Sequence, residues 1–274
     1  ELAEMMVGRP VSFKVDKKPF SPGPVLLDVQ HLTVLRENDA VAVNDLSLNV
    51  RAGEIVGIAG VQGNGQSELV EALAGVRRVA RGIVMFQGKD ITGASARDRH
   101  RLGMAHIPED RQRTGIIAAF TVAENMVLDT YYDSRFSHGL AMDWQAVNQN
   151  SAAAAAAFDV RTPSIFEKAG HLSGGNQQKL VVARELNRDT KLLIASQPTR
   201  GLDVGSIEYI HKRIVDAREE GDGILIVSSE LDEIMSLCDR ILVMFKGRIV
   251  AEFGAAGRPA NKNDIGLAMA GVAA

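Results

Sequence analysis

Three groups of residues in this chain have the types and spacing to handle a phosphorylated ligand. The first is Gly60-Val61-Gln62-Gly63-Asn64-Gly65-Gln66-Ser67-Glu68, which follows the apolar run Ile55–Ala59. Glycines at such a turn let backbone N–H groups wrap phosphate oxygens at a helix N-terminus, where the dipole favours an anion. Gly60, Gly63 and Gly65 keep that geometry, and Ser67 keeps a hydroxyl that can face Mg²⁺. Gln66 stands where a phosphate loop of this form carries Lys. A charge-assisted hydrogen bond is worth roughly 1.5–3 kcal/mol, so its loss predicts phosphate binding weaker by about ten- to a hundred-fold. Glu68 adds a like charge. A carboxylate ~4 Å from a phosphate costs about 1 kcal/mol in water and about 4 kcal/mol at an effective dielectric of 20.

The second group is Leu172-Ser173-Gly174-Gly175-Asn176-Gln177-Gln178-Lys179, in which Ser173 can cap a following helix. Gly174 and Gly175 would leave backbone N–H groups open at that helix start, a second end suited to an anion. The third group closes two apolar strands: Leu192–Ala195 runs into Ser196-Gln197, and Ile224–Val227 runs into Ser228-Ser229.

The octapeptide from Leu172 resembles the signature motif of ATP-binding cassette (ABC) ATPases, in the form found in sugar and nucleoside importers. Pro198-Thr199-Arg200-Gly201-Leu202-Asp203 follows at the interval that family uses, and the resemblance covers the chain from about Val25 onward. It implies an α/β fold: a P-loop NTPase cassette with a parallel nucleotide-binding core, an antiparallel β subdomain and a helical subdomain over about 118–180. It also implies ATP with Mg²⁺ as cofactors. Where the family carries Asp-Glu this chain has Ser196-Gln197, and where it carries the switch histidine this chain has Ser229. Ser196 cannot supply an anionic metal ligand, and Gln197 can orient a water but cannot take its proton. Glu109, in Pro108-Glu109-Asp110-Arg111, falls at the Gln-loop position in a variant resembling the second cassettes of ribose- and galactose-type importers.

The resemblance therefore implies an asymmetric pairing. Ser173, Gly174, Gly175, Asn176 and Gln177 would face the γ-phosphate held by an opposing cassette, and Asp203 would reach across the same interface. This chain's own site would bind nucleotide loosely and turn over little, with Mg²⁺ held only weakly at Ser67. The expected partners are a preceding or paired cassette, transmembrane permease subunits and, indirectly, a solute-binding protein, at the cytoplasmic face of the membrane. The stretch Ala195–Gly205 leans toward the nucleoside and simple-sugar subset.

Around these residues the sequence predicts the elements that must hold them. Val25 to Val50 alternates apolar runs with turn signals and reads as antiparallel strands. Leu69, Leu73 and Val76 have helical spacing after the glycine loop. Thr121-Val122-Ala123-Glu124 has capping-box form, and the region from there to about Lys168 reads as largely helical, with Ala152–Ala157 mostly exposed. A helix is predicted over Ser206–Glu220, and a hairpin pairs Ile241–Phe245 with Ile249–Phe253 across Lys246-Gly247. The first residues, Glu1 to Gly8, echo Asp264 to Gly271, which reads residues 1–24 as the tail of a preceding, similar cassette plus a Pro-marked linker.

With 274 residues, 46% hydrophobic and 24% charged, the composition is that of an ordinary globular chain, and a net charge of −3 argues against nucleic-acid binding. The basic run Arg97, Arg99, Arg101, Arg111 and Arg113 reads as a solvated helix face and loop, and the single Cys238 as a small buried residue. His31 is available near the place where adenine would stack on an aromatic residue, but reads as a solvated loop histidine. Asn261-Lys262-Asn263-Asp264 fits a base-reading pattern of GTPases but lies far from the required strand, which favours chance. An autonomous non-transport ABC-type ATPase and a regulatory nucleotide-binding module are the remaining alternatives.

Overall fold

The protein is described from a computed structural model that covers residues 16–19, 21, 23–139, 141–254 and 258–272. The similarity of residues 1–8 to the C-terminal segment falls outside these residues. The described residues form two compact units, one of Ile107–Asp189 with Pro198–Ile210, the other of those up to His106 with Thr190–Gln197 and His211 onward.

The larger unit is built on two sheets. Strands β1 (Val25–Leu35), β2 (Val41–Arg51), β3 (Ile55–Ala59), β4 (Arg81–Phe86), β5 (Lys89–Asp90), β6 (Met104–Ile107), and later β9 (Leu192–Ser196), β10 (Gly223–Ser228), β11 (Arg240–Phe245) and β12 (Arg248–Gly254) sort into orders β2-β1-β4-β5 and β12-β11-β3-β10-β9-β6. The first sheet is antiparallel, as the alternation in β1 and β2 predicts. In the second, β3, β10 and β9 run parallel and every residue of each is buried. That burial on both faces explains why these strands read as unbroken apolar runs. The predicted hairpin of β11 and β12 forms across Lys246-Gly247. Leu27, Leu46, Phe86, Ile58, Leu69, Leu73 and Leu225 share one core between the sheets and the helix Gln66–Ala74.

That helix stops one residue before Val76, which is exposed, because Gly75 takes a left-handed turn at φ 78°. Its C-terminal carbonyls are satisfied from an unexpected source. Arg99 is only 2% exposed and donates to the carbonyl oxygens of Ala72, Leu73, Ile91, Thr92 and Ala94 at 2.7–3.2 Å. The sequence predicts it as part of a solvated basic face and loop, which holds for the exposed Arg97, Arg101 and Arg113 but not for Arg99, and only in part for the half-buried Arg111. Helix-terminal carbonyls lack intrahelical partners, and a guanidinium with five donors in a fixed fork can serve several at once.

The smaller unit is less helical than the sequence predicts. Thr121 and Glu124 form a reciprocal capping box, but the helix it opens spans only Val122–Met126. Turns and a short hairpin, β7 (Ser137–His138) with β8 (Ala141–Met142), precede the longer helix Trp144–Ala157. Phe136 is fully buried with Ala123, Val127 and Val147, and the chain turns around that centre. Ala154 and Ala155 are the buried members of the alanine run; the other four are exposed.

Two minor expectations resolve locally. Lys17, expected in a linker, donates to the carbonyls of Leu237 and Cys238 at 2.7 and 2.9 Å and pairs with Asp239. Asn261 caps the helix Lys262–Met269 by accepting from the Asn263 N–H, which gives the GTPase-like tetrapeptide a structural role. Cys238, expected to be buried, is half-buried, and desolvation pushes its thiol above the ordinary range. Replacing Arg99 with Ala is expected to destabilise the fold by about 3 kcal/mol or more, since several buried acceptors lose their donor at about 1–3 kcal/mol each. Arg97→Ala is expected to stay within about 0.5 kcal/mol of the native protein. Urea unfolding of the two variants makes the comparison.

Candidate functional site

The parallel register brings the candidate residues of the larger unit to one edge. Ala59 pairs with Ser228, and Val227 with Ser196, so β3, β10 and β9 end together. The glycine loop leaves β3 there and enters the helix Gln66–Ala74. Gly63 and Gly65 adopt φ 92° and 105°, which L side chains rarely adopt. A Cβ on Gly65 would collide with the carbonyl oxygen of Ala42, while one on Gly63 would meet open space. The loop is a cradle that closes tightly underneath and stays open above.

Its internal bonds explain several side chains. Asn64 donates to the Val61 carbonyl at 2.9 Å and accepts from the Lys246 N–H at 2.8 Å, tying the loop to the β11–β12 turn. Gln66 is 8% exposed, and its Nε2 donates to the same Val61 carbonyl at 2.9 Å. The residue that replaces the expected lysine thus folds back and staples the loop without carrying charge. Its Oε1 is buried with no hydrogen-bond partner. Gln62 and Ser67 are exposed on the loop. Glu68 is not the bare carboxylate that the sequence implies, because Arg36 donates to it from Nε at 3.0 Å and to the Gly63 carbonyl at 2.9 Å.

At the other strand ends, Ser196 is buried and Gln197 is half-buried. Gln197 sits at φ 47°, a left-handed conformation costing on the order of 1–3 kcal/mol for a residue with a side chain. It is held there by its N–H donating to Val227 O at 2.7 Å, while its Oε1 accepts from the Ser229 N–H and hydroxyl at 3.3 and 3.2 Å. A strained backbone therefore persists at the position where a catalytic base would stand. The residues fit a phosphate group, through the loop and its helix. They do not fit a tightly held Mg²⁺, because Ser67, Ser196, Gln197 and Ser229 offer only neutral oxygens, so no hydrolytic step follows from them. His31 is exposed at φ 51° in an irregularity of β1, with Asp45 against its ring at 2.9 Å, rather than in a loop.

In the smaller unit, Ser173 caps the helix Gly174–Leu186 by accepting from the Asn176 N–H. Ser173 is exposed and Gly174 is partly so. The Asn176 side-chain Oδ1 accepts from the Arg161 N–H at 2.9 Å, and the Gln177 side chain donates to Ala169 O and accepts from Gln112 Nε2, so both side chains are committed within the unit. Gly175 is buried, and a Cβ there would collide with the Ser206 hydroxyl. Ser206 in turn donates to Asp203 at 2.7 Å, a bond that holds the Asp203 carboxyl below its usual range. Glu109 pairs with Arg200 at 2.9 Å, and Arg111 donates to the Arg200 carbonyl with its guanidinium beside Gly174. Sequence spacing carried no signal for the Arg36–Glu68 and Arg200–Glu109 pairs, which join residues 32 and 91 positions apart.

A parallel strand, a glycine loop entering a helix, and a capped glycine pair opening a second helix define a nucleotide-binding cassette. The family model for ABC transporters matches residues 43–200, more than half of the chain, and the protein belongs to that family. It is 45% identical over 99% of its length to the guanosine import ATP-binding protein NupO of Bacillus subtilis, and equally to the nucleoside import ATP-binding protein NupA of Lactococcus lactis. It is 39% identical over 93% of its length to a ribose import ATP-binding protein of Rubrobacter xylanophilus. The chain spans about half the length of these curated relatives, 53%, 53% and 48% respectively. Among solved structures, a nucleotide-free ATP-binding cassette from an ABC transporter superposes with TM-score 0.71 at 22% identity, covering 89% of this chain and 96% of that one. The expected cassette fold is thereby met. No helix among the described residues is long and apolar enough to cross a membrane.

The packing of Gly175 separates two substitutions at the signature. Gly175→Asp is expected to cost about 1–3 kcal/mol or more through overpacking, and it sets a second carboxylate beside Asp203. Ser173→Arg, on an exposed cap, is expected to cost no more than about 0.5–2 kcal/mol. Thermal melting of both variants checks this order.

Proposed function

We propose that this chain is one cassette of an importer for nucleosides or simple sugars, with a degenerate ATP site of its own, and that it lends its signature to a partner cassette that hydrolyses ATP. The single observation behind this reading is the division of the residues. Ser173 and the partly exposed Gly174 open a capped helix, with the Arg111 guanidinium beside it, that suits a neighbour's γ-phosphate. Gln66, Ser196, Gln197 and Ser229, which would serve the chain's own site, carry no charge to hold Mg²⁺ or take a proton. The nucleoside, glucose and ribose import functions named for the relatives support the substrate class. Their roughly double length is consistent with a partner cassette in the same polypeptide.

In this reading the glycine loop binds the phosphates of ATP without committing it to hydrolysis, and Mg²⁺ meets only weak neutral ligands at Ser67. Asp203, held ionised by Ser206, contributes to the interface with the partner. Glu109 and its loop face transmembrane permease subunits at the cytoplasmic side of the membrane, and a solute-binding protein delivers the cargo to those subunits. The solute is selected outside this chain.

Loss of a general base alone typically removes 10²–10⁴-fold in rate, and losses within one catalytic unit do not add. Phosphate release by the purified chain is therefore expected to be negligible. Gln66→Lys is expected to tighten ATP binding by about ten-fold while leaving hydrolysis absent. In the assembled transporter, Ser173→Arg is expected to abolish ATP turnover. Turnover near ~1 s⁻¹ from the unmodified chain alone, within the ordinary enzyme range, would overturn the reading.

A further inference from the structure

We infer that Arg36 supplies the nucleotide-phosphate cation that Gln66 does not, and that Glu68 holds it in place at the loop; this rests on the reading of the glycine loop as a nucleotide site. Arg36 lies in the turn after β1, remote in sequence from the loop. Its Nε donates to Glu68 Oε1 at 3.0 Å, and one terminal nitrogen donates to the Gly63 carbonyl at 2.9 Å. The guanidinium is therefore bound across the first turn of the helix Gln66–Ala74 and the apex of the loop. It remains 43% exposed in its side chain, against 18% for Glu68. Two of its five N–H donors are used in these bonds, which leaves the rest of a planar fork available to phosphate oxygens.

Two further features of the loop fit this assignment. The space above Gly63 is open, so a ligand can approach the apex where Arg36 is anchored. Gln66 is more than nine-tenths buried inside the loop, with its Nε2 given to Val61 and its Oε1 without a partner. An amide fixed in that way offers no positive charge, and its oxygen is an acceptor that no phosphate oxygen can satisfy. Any side-chain charge that adds to the loop's backbone N–H groups in holding a nucleoside di- or triphosphate then comes from a neighbouring element. Glu68 alone would repel such a ligand; paired with Arg36 it becomes part of a neutral couple that positions a cation. The ligand class is a nucleotide with at least two phosphates, recognised at its phosphates and not at its base.

The test is calorimetric binding of ADP and of adenosine to the purified chain and to three variants: Glu68→Gln, Arg36→Gln, and the double variant. Glu68→Gln is expected to bind ADP at least as tightly as the native chain. Arg36→Gln/Glu68→Gln is expected to bind ADP about ten-fold or more weakly than Glu68→Gln, with adenosine affinity unchanged between the two. Equal ADP affinity in Glu68→Gln and the double variant would reduce Arg36 to a neutraliser of Glu68 and overturn the inference. A parallel loss for adenosine would do the same, by assigning Arg36 to the base or to loop shape. Saturable ADP binding by the native chain separates these failures from failure of the nucleotide-site reading, which would show as no binding to any form.

Discussion

The common register of β3, β10 and β9 is the constraint on which the larger unit depends. Hydrogen bonding of Ala59 to the level of Ser228, and of Val227 to that of Ser196, forces three chain segments to leave the sheet at one edge. The glycine loop, Gln197 and Ser229 are neighbours because of that register, whatever their chemistry. These three strands are buried on both faces, so their order and level are held by the parallel hydrogen-bond ladder and by packing on either side. The strand ends gather the glycine loop, Ser196 and Gln197 at one edge whatever side chains they carry.

Replacement is not the same as decay. Gln66 closes the loop onto Val61, Asn64 ties it to the β11–β12 turn, and Gln197 keeps a left-handed backbone that Ser229 and Val227 stabilise. Gln66, Ser196, Gln197 and Ser229 carry no charge. The signature end has been kept by separate means, with Ser173 capping its helix and Ser206 packing against Gly175 while fixing Asp203. The glycine loop and the signature helix are thus built from different residues, each with its own supporting bonds.

Much of this was legible in the sequence. Buried parallel strands announce themselves as continuous apolar runs, the capping box at Thr121 gives both of its bonds, and the glycine spacing gives the loop. The surroundings of Arg99 and Glu68 were not legible for one physical reason, which is that partners distant in sequence leave no periodic trace. Arg99 looks like any arginine on an exposed helix until the carbonyls at the end of Gln66–Ala74 are brought to it. Glu68 looks repulsive until Arg36 arrives from 32 residues away. The smaller unit was overestimated as helix because alanine-rich propensity spreads its signal beyond the segment that packing on Phe136 allows.

The central claim is that hydrolysis occurs in the partner's site and not in this chain's own. Vanadate trapping with photoreactive 8-azido-ATP in the assembled transporter reads this directly, because vanadate retains nucleotide only where hydrolysis has taken place. After proteolysis between the cassettes, the label is expected on the partner cassette alone, and Ser173→Arg in this chain is expected to remove it. Label on the segment carrying Gln66 and Gln197 would show a working site here and contradict the account.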